Sequence, residues 1–385
     1  MKRRLRMGMV GGGRGAFIGG VHRIAAQMDG RIELVCGALS STPEKSQTSG
    51  ADLLLPPDRC YGTWQEMIAS EAKLPADRRM DFISIVTPNH KHFPVAMAAL
   101  NAGFHVVCDK PMTLTLAEAK TLERKVDRTG LLFCLTHNYT GYPMVKQARE
   151  MVRGGRLGKV RRVVVEYPQG WLATRLEAGG QKQAGWRTDP KRAGASCCMG
   201  DIGSHCENLA EYITGLRIRE LCAALNTFVG GRQLDDDGSA LLRLDGGATG
   251  ILWASQIAIG CENGLNIRVF AEKGALEWHQ QEPNTLIVDT LDAPRQLLRT
   301  STGFVGAAAS AAKRIPAGHP EGYLEAFANL YKEFADALLR RLDGQKVAET
   351  DCDYPNVHDG VRGMAFLTTV VKSAKATGKW SKIVA

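Results

Sequence analysis

The chain has 385 residues, a length that suits roughly two to three domains and excludes a miniature scaffold that needs disulfides or metal to stay folded. Hydrophobic residues make up 44% and charged residues 23%, which excludes a chain disordered throughout. The formal charge is +9, but only Lys2, Arg3, Arg4 and Arg6 cluster tightly; the surplus reads as solvated surface, and a nucleic-acid partner is not expected.

Residues 5–10 read as a short strand, followed by Gly11-Gly12-Gly13-Arg14-Gly15-Ala16 and a helical stretch through Ala26. Residues 32–38 and 81–86 are further strands, the latter leading into Thr87-Pro-Asn-His-Lys-His92. A helix over 93–102 stops at Gly103, a strand covers 105–108, a helix over 116–129 stops at Gly130, and a strand covers 131–136. Strands alternating with helices predict a doubly wound parallel sheet over residues 1–137.

The pattern then changes. Residues 160–167, 221–228, 240–244, 249–259, 267–271, 275–278 and 286–289 are strand-like, separated by turns such as Asp237-Gly238 and Asp245-Gly246-Gly247. Consecutive short strands with tight turns predict a mainly antiparallel sheet in an α+β domain for substrate binding and oligomerisation over 138–385, with packing of its C-terminal helices back on the first domain left open. Two helices close the chain: Leu324, Phe327, Tyr331, Phe334 and Leu338 share a face of the first, and Val361, Met364, Ala365 and Val371 a face of the second. The Ala/Gly/Pro-rich stretch 303–320 is expected to be a loop or lid. Several of the ten cysteines, such as Cys36 and Cys134, sit in apolar runs, as buried free thiols do. With no secretory signal and no apolar run long enough for a bilayer, a cytoplasmic setting without membrane attachment is expected.

Gly11-x-Gly13-x-x-Ala16 stands where a dinucleotide fingerprint must stand, after the first strand and opening the first helix. The first Gly permits the turn, the second lets a pyrophosphate approach the backbone, and the small third residue lets helix and strand pack closely. The acid that usually holds the ribose 2′-OH is missing: Ser40 and Ser41 stand there, with Lys45 nearby. NAD and NADP both stay open, with a lean to NADP. Lys110, in Cys108-Asp109-Lys110-Pro111, ends a strand at the carboxyl edge, where it can meet a developing alkoxide or be an ordinary exposed lysine. Asp201 and His205 are four apart and share a face if helical, which suits a base and its orienting carboxylate, although an isolated His is more often structural. Cys197, Cys198, His205 and Cys206 lack zinc-ligand spacing, so no metal is expected. P-loop, zincin and nucleophile-elbow patterns do not occur.

Val10-Gly-Gly-Gly13, Thr87-Pro-Asn-His90, Asp109-Lys110-Pro111, Trp186-Arg187 and Gly200-Asp-Ile-Gly-Ser-His205, in that order, resemble the Gfo/Idh/MocA oxidoreductases along nearly the whole chain. The resemblance implies a Rossmann domain and a second domain whose sheet face builds homodimers or homotetramers. It implies that Lys110, Asp201 and His205 match the catalytic residues. Thr87, Asn89 and His92 would match the nicotinamide-side loop, which adjoins Lys110. Asp109 departs from the commoner Glu. The reaction implied is hydride transfer between nicotinamide and a secondary hydroxyl of a sugar or cyclic polyol, with Asn138, Tyr139, Trp171, Trp186 and Arg187 as candidate pocket residues. A glycoside hydrolase that uses NAD transiently and a nucleotide-sensing regulator remain as alternatives.

Overall fold

The structure, a computed structural model, describes residues 3–348 and 351–385; Lys2 of the basic cluster lies outside the described residues. The chain forms two compact units, Met1–Asn138 with Tyr323–Val361, and Tyr139–Gly322 with Arg362–Ala385. Among the described residues, no helix is long and apolar enough to cross a membrane.

The first unit is built on five parallel strands: β1 (Leu5–Gly11), β2 (Ile32–Ala38), β3 (Phe82–Val86), β4 (His105–Cys108) and β5 (Phe133–Leu135), in the order β2-β1-β3-β4-β5. Helices α1 (Phe17–Gln27), α2 (Pro43–Asp52), α3 (Trp64–Lys73), α4 (His92–Asn101) and α5 (Leu116–Thr129) make the connections. Every residue of β3 is buried, as expected of a parallel strand covered on both faces. The ends of α5 follow local chemistry: Thr115 and Glu118 form a reciprocal capping box, and Gly130 closes the helix at φ 66°. The helix Tyr323–Leu342 joins this unit by burying Phe327, Tyr331, Phe334 and Leu338, with Tyr331 Oη 2.8 Å from His22 Nδ1 of α1. The order reverses at β1 and β3, so a ligand crevice is expected outside their carboxyl ends, at Gly11 and Thr87.

The basic start is not free surface. Arg3 donates through both terminal nitrogens to the Asp81 carboxylate at 2.7 Å, and Arg6 donates to the Ala76 carbonyl at 2.6 Å. These two charges anchor the first strand's entry, which corrects the solvated-surface reading for Arg3 and Arg6, while Arg4 is exposed.

The second unit holds a nine-stranded sheet: β6 (Val160–Pro168), β7 (Ile218–Asn226), β8 (Asp237–Leu244), β9 (Thr249–Ser255), β10 (Asn266–Ala271), β11 (Gly274–His279), β12 (Thr285–Thr290), β13 (Ala293–Arg299) and β14 (Ser381–Lys382). Their order is β13-β12-β11-β10-β6-β9-β8-β7-β14, and every pair is antiparallel except β6 with β9. Helices Pro143–Arg153 and Ser204–Thr214 pack on the sheet. On the opposite face Leu241, Ile251, Val164, Arg268, Glu277, Ile287 and Leu297 form one row in register across seven strands. Stretch 303–320 differs from the loop expected. It contains a helix, Ala307–Ala311, because alanine is the best helix former. It is also tied down: Gln147 accepts from Gly306 N at 2.6 Å, and the buried Glu321 carboxylate accepts from Arg314 N at 2.6 Å and Ile315 N at 3.0 Å.

Candidate active site

At the carboxyl end of β1, Gly11 takes φ 83°, and a Cβ there would stand 2.6 Å from the Val86 carbonyl oxygen. Ala16 is the N-cap of α1, with no side-chain hydrogen bond at the cap. The close approach of helix to turn is set instead by Gly19, where a Cβ would stand 2.3 Å from Gly12 Cα. Gly13 is fixed by its neighbours: its N–H donates to the Leu39 carbonyl at 2.9 Å, and a Cβ would stand 2.6 Å from both that oxygen and Ser49 Oγ. The turn is thereby locked to the end of β2, where Ser40 is half-buried and Ser41 exposed, with exposed Lys45 in the first turn of α2. The Arg14 guanidinium pairs with the Asp52 carboxylate at the other end of α2.

At the ends of β3 and β4 a buried His92 links two loops. Its Nδ1 lies 2.7 Å from the Pro111 carbonyl and its Nε2 2.9 Å from the Thr87 carbonyl. Both ring nitrogens therefore face backbone, and burial holds the ring below its ordinary pKa. His92 thereby ties the Thr87 loop to the Lys110 loop. Lys110 is half-buried and precedes a cis peptide to Pro111. Asp109 Oδ1 accepts from Lys110 N at 2.8 Å and Thr136 Oγ1 at 3.1 Å, a local contact that suits a short carboxylate arm. Burial and the Lys110 charge push His137 down to about 3, so that ring is neutral. Asn89 is buried. Thr87 Oγ1 and Asn138 Nδ2 are buried polar atoms without a hydrogen-bond partner among the described residues. Such groups are costly unless a ligand or water completes them. With the glycine turn, they fit a dinucleotide lying across the carboxyl ends of β1 and β3.

In the second unit, buried Asp235 sets the start of the key helical segment. Its carboxylate accepts from Ser196 Oγ and Cys197 N at 3.0 Å and Met199 N at 2.9 Å. Residues Met199–Gly203 are wound as a π-helical turn, a shape frequent at functional sites, and Ser204–Thr214 continues as α-helix. Asp201 lies in the wide turn and His205 on the helix, so they are not related by a regular α-helical spacing. Asp201 Oδ2 accepts from Arg187 Nε at 3.0 Å and Gln256 Nε2 at 2.9 Å. Arg187 lies over the Trp186 ring at 4.2 Å and the Trp171 ring at 5.8 Å.

His205 is buried, with the Tyr139 ring perpendicular at 4.8 Å. The Tyr139 hydroxyl pairs with Tyr167 and accepts from Asn263 Nδ2 at 3.3 Å; burial raises its pKa to about 12, so it stays protonated. Tyr139 thus buttresses His205, whereas the sequence suggested a pocket-lining role. Gln256, Asp235, Tyr167 and Asn263 were not singled out from the sequence. Only Asp235 left a trace there, in the acidic run 235–237 between two strands.

Residues 5–137 match the oxidoreductase family with an NAD-binding Rossmann fold, and residues 145–277 match the Gfo/Idh/MocA C-terminal domain. An uncharacterised oxidoreductase of Bacillus subtilis is 34% identical, over 98% of this chain and 96% of that one. A crystal structure of an oxidoreductase from Sinorhizobium meliloti is 48% identical, with a TM-score of 0.89 over 99% of this chain and 100% of that one. An inositol dehydrogenase homologue from Azotobacter vinelandii, crystallised with NADH and myo-inositol, is 35% identical, with a TM-score of 0.93 over 99% of this chain and 98% of that one. The chain belongs to the Gfo/Idh/MocA oxidoreductases. It is an NAD(P)-dependent dehydrogenase.

Proposed function

We propose that the protein reversibly oxidises a secondary hydroxyl of an uncharged sugar or cyclic polyol. The observation that carries this reading is the setting of Asp201 beside Arg187. The carboxylate meets the guanidinium charge, and Trp186 and Trp171 flank it, so this part of the pocket offers hydrogen bonds and aromatic faces instead of a free cation. That suits neutral hydroxyls and the C–H face of a ring. The myo-inositol in the structure of the Azotobacter relative is a neutral cyclic polyol of this kind.

In this reading His205 is the base that takes the hydroxyl proton, and Lys110 is the donor that meets developing alkoxide charge. Asp201, held by Arg187 and Gln256, accepts from a neighbouring hydroxyl or steadies His205. Tyr139 holds the His205 ring. Gly11, Gly13, Arg14, Ser40, Ser41, Lys45, Thr87 and Asn89 would hold the dinucleotide, which supplies a hydride acceptor when bound. Ser40 and Ser41 place no acid at the ribose, so the end of β2 does not itself exclude the 2′-phosphate of NADP. The register row on the open sheet face, with Leu241, Ile251, Val164, Ile287 and Leu297, supplies the apolar surface for a homodimer or homotetramer.

The test is a panel of cyclic polyols and aldoses, including inositols, with NAD and NADP separately, read by absorbance of the reduced cofactor. Reduction with at least one neutral polyol or aldose is expected. Reduction only with phosphorylated or carboxylated sugars would overturn the uncharged-substrate reading.

A further inference from the structure

The adenosine ribose of a dinucleotide is read at the end of the second strand in doubly wound folds. Here that place is framed by backbone contacts of the glycine turn: Gly13 N–H donates to the Leu39 carbonyl at 2.9 Å, and Arg14 N–H donates to Ser49 Oγ of α2 at 3.1 Å. The Arg14 side chain then reaches along α2 to its last residue. Its Nε and Nη2 engage the two carboxylate oxygens of Asp52, the latter at 2.6 Å. A guanidinium fork is the group best shaped to bind a phosphate monoester, and this one is filled by a carboxylate. The pair is exposed, with 64% of the Arg14 side chain and 42% of the Asp52 side chain accessible. Exposed pairs are weak and open readily.

We propose that Asp52 is a cofactor-selecting residue, which occupies the Arg14 fork and so withholds it from a 2′-phosphate at the end of β2. The inference rests on the dinucleotide reading of the first unit. A 2′-hydroxyl leaves the pair intact. A 2′-phosphate must draw the guanidinium away from the carboxylate. Asp52 thus performs, from the end of α2, the discrimination that an acid at Ser40 would perform from the end of β2.

The test is fluorescence titration of the full-length protein with NADH and NADPH. In Asp52→Asn the NADPH dissociation constant is expected to fall about tenfold, while that of NADH stays unchanged. Arg14→Gln combined with Asp52→Asn should abolish the gain. Ser40→Asp, which restores an acid at the ribose, should weaken NADPH binding in either background. Unchanged NADPH affinity in Asp52→Asn, with normal NADH binding, would overturn the selecting role and leave the dinucleotide reading standing. Failure of the unaltered protein to bind either dinucleotide would remove both.

Discussion

Replacing His205 by Ala is expected to lower turnover by about 10²–10⁴ while leaving dinucleotide affinity unchanged. The proton must leave the substrate oxygen as hydride leaves its carbon, so a base with a usable pKa is needed at that oxygen. Histidine is the side chain whose ordinary pKa lies in that range. The ring is held by packing: Tyr139 stands perpendicular to it, and its own hydroxyl is fixed by Tyr167 and Asn263. Dinucleotide affinity should hold because the groups assigned to the cofactor all lie in the first unit, whereas His205 lies in the second. Steady-state kinetics and a separate NADH titration check the two halves of the expectation. Near-normal turnover in the variant would remove His205 as the base. Asn at the same position, which keeps volume and polarity but cannot take the proton, should be as impaired as Ala.

Gly13→Val is expected to abolish dinucleotide binding and to destabilise the first unit by about 1–3 kcal/mol, the usual cost of forcing extra atoms into a packed site. The first Cβ alone would stand 2.6 Å from the Leu39 carbonyl oxygen, which Gly13 N–H holds at 2.9 Å. Backbone cannot yield as a flexible side chain can, so the turn must move away from the end of β2. The approach of a pyrophosphate to the backbone, as read from sequence, accounts for lost binding in a folded chain; the contact with Leu39 adds the loss of stability. Gly15→Ala is the informative contrast. Unlike Gly13 it places a side chain at positive φ, 71°, but it meets nothing within 4 Å, so its cost should stay near the ~1–2 kcal/mol of the left-handed region. Equal melting temperatures for Gly13→Val and the unaltered chain would contradict the packing account.

The first unit was largely legible because each of its signals is local. Strand 32–38, strand 105–108 and helix 116–129 begin and end where the sequence places them, since hydrophobic runs, a capping box and a glycine C-cap act within a few residues. The second unit was legible in kind, less so in extent. β13 carries Pro294 and alternates polar with apolar residues only weakly, and β14 is two residues long, so neither announces a strand. In the site, residue types with chemical meaning stood out: Lys110, Asp201 and His205. Their supports did not. Asp235 and Gln256 reach the Asp201 segment from elements 34 and 55 positions further along, and nothing local marks such a pairing. His92 was noticed but read as a ligand-facing group, because a sequence does not show which way a buried ring turns.

The central claim is that hydride leaves a secondary carbinol carbon and is retained by the cofactor. Incubation with NAD and a neutral polyol deuterated at its carbinol carbons, followed by mass analysis of the reduced cofactor, tests it directly. A single deuteron in the reduced cofactor, formed in equal amount to the ketone product, is the predicted result. Substrate cleavage with the cofactor returned to its oxidised form, or reduced cofactor without deuterium, would contradict it.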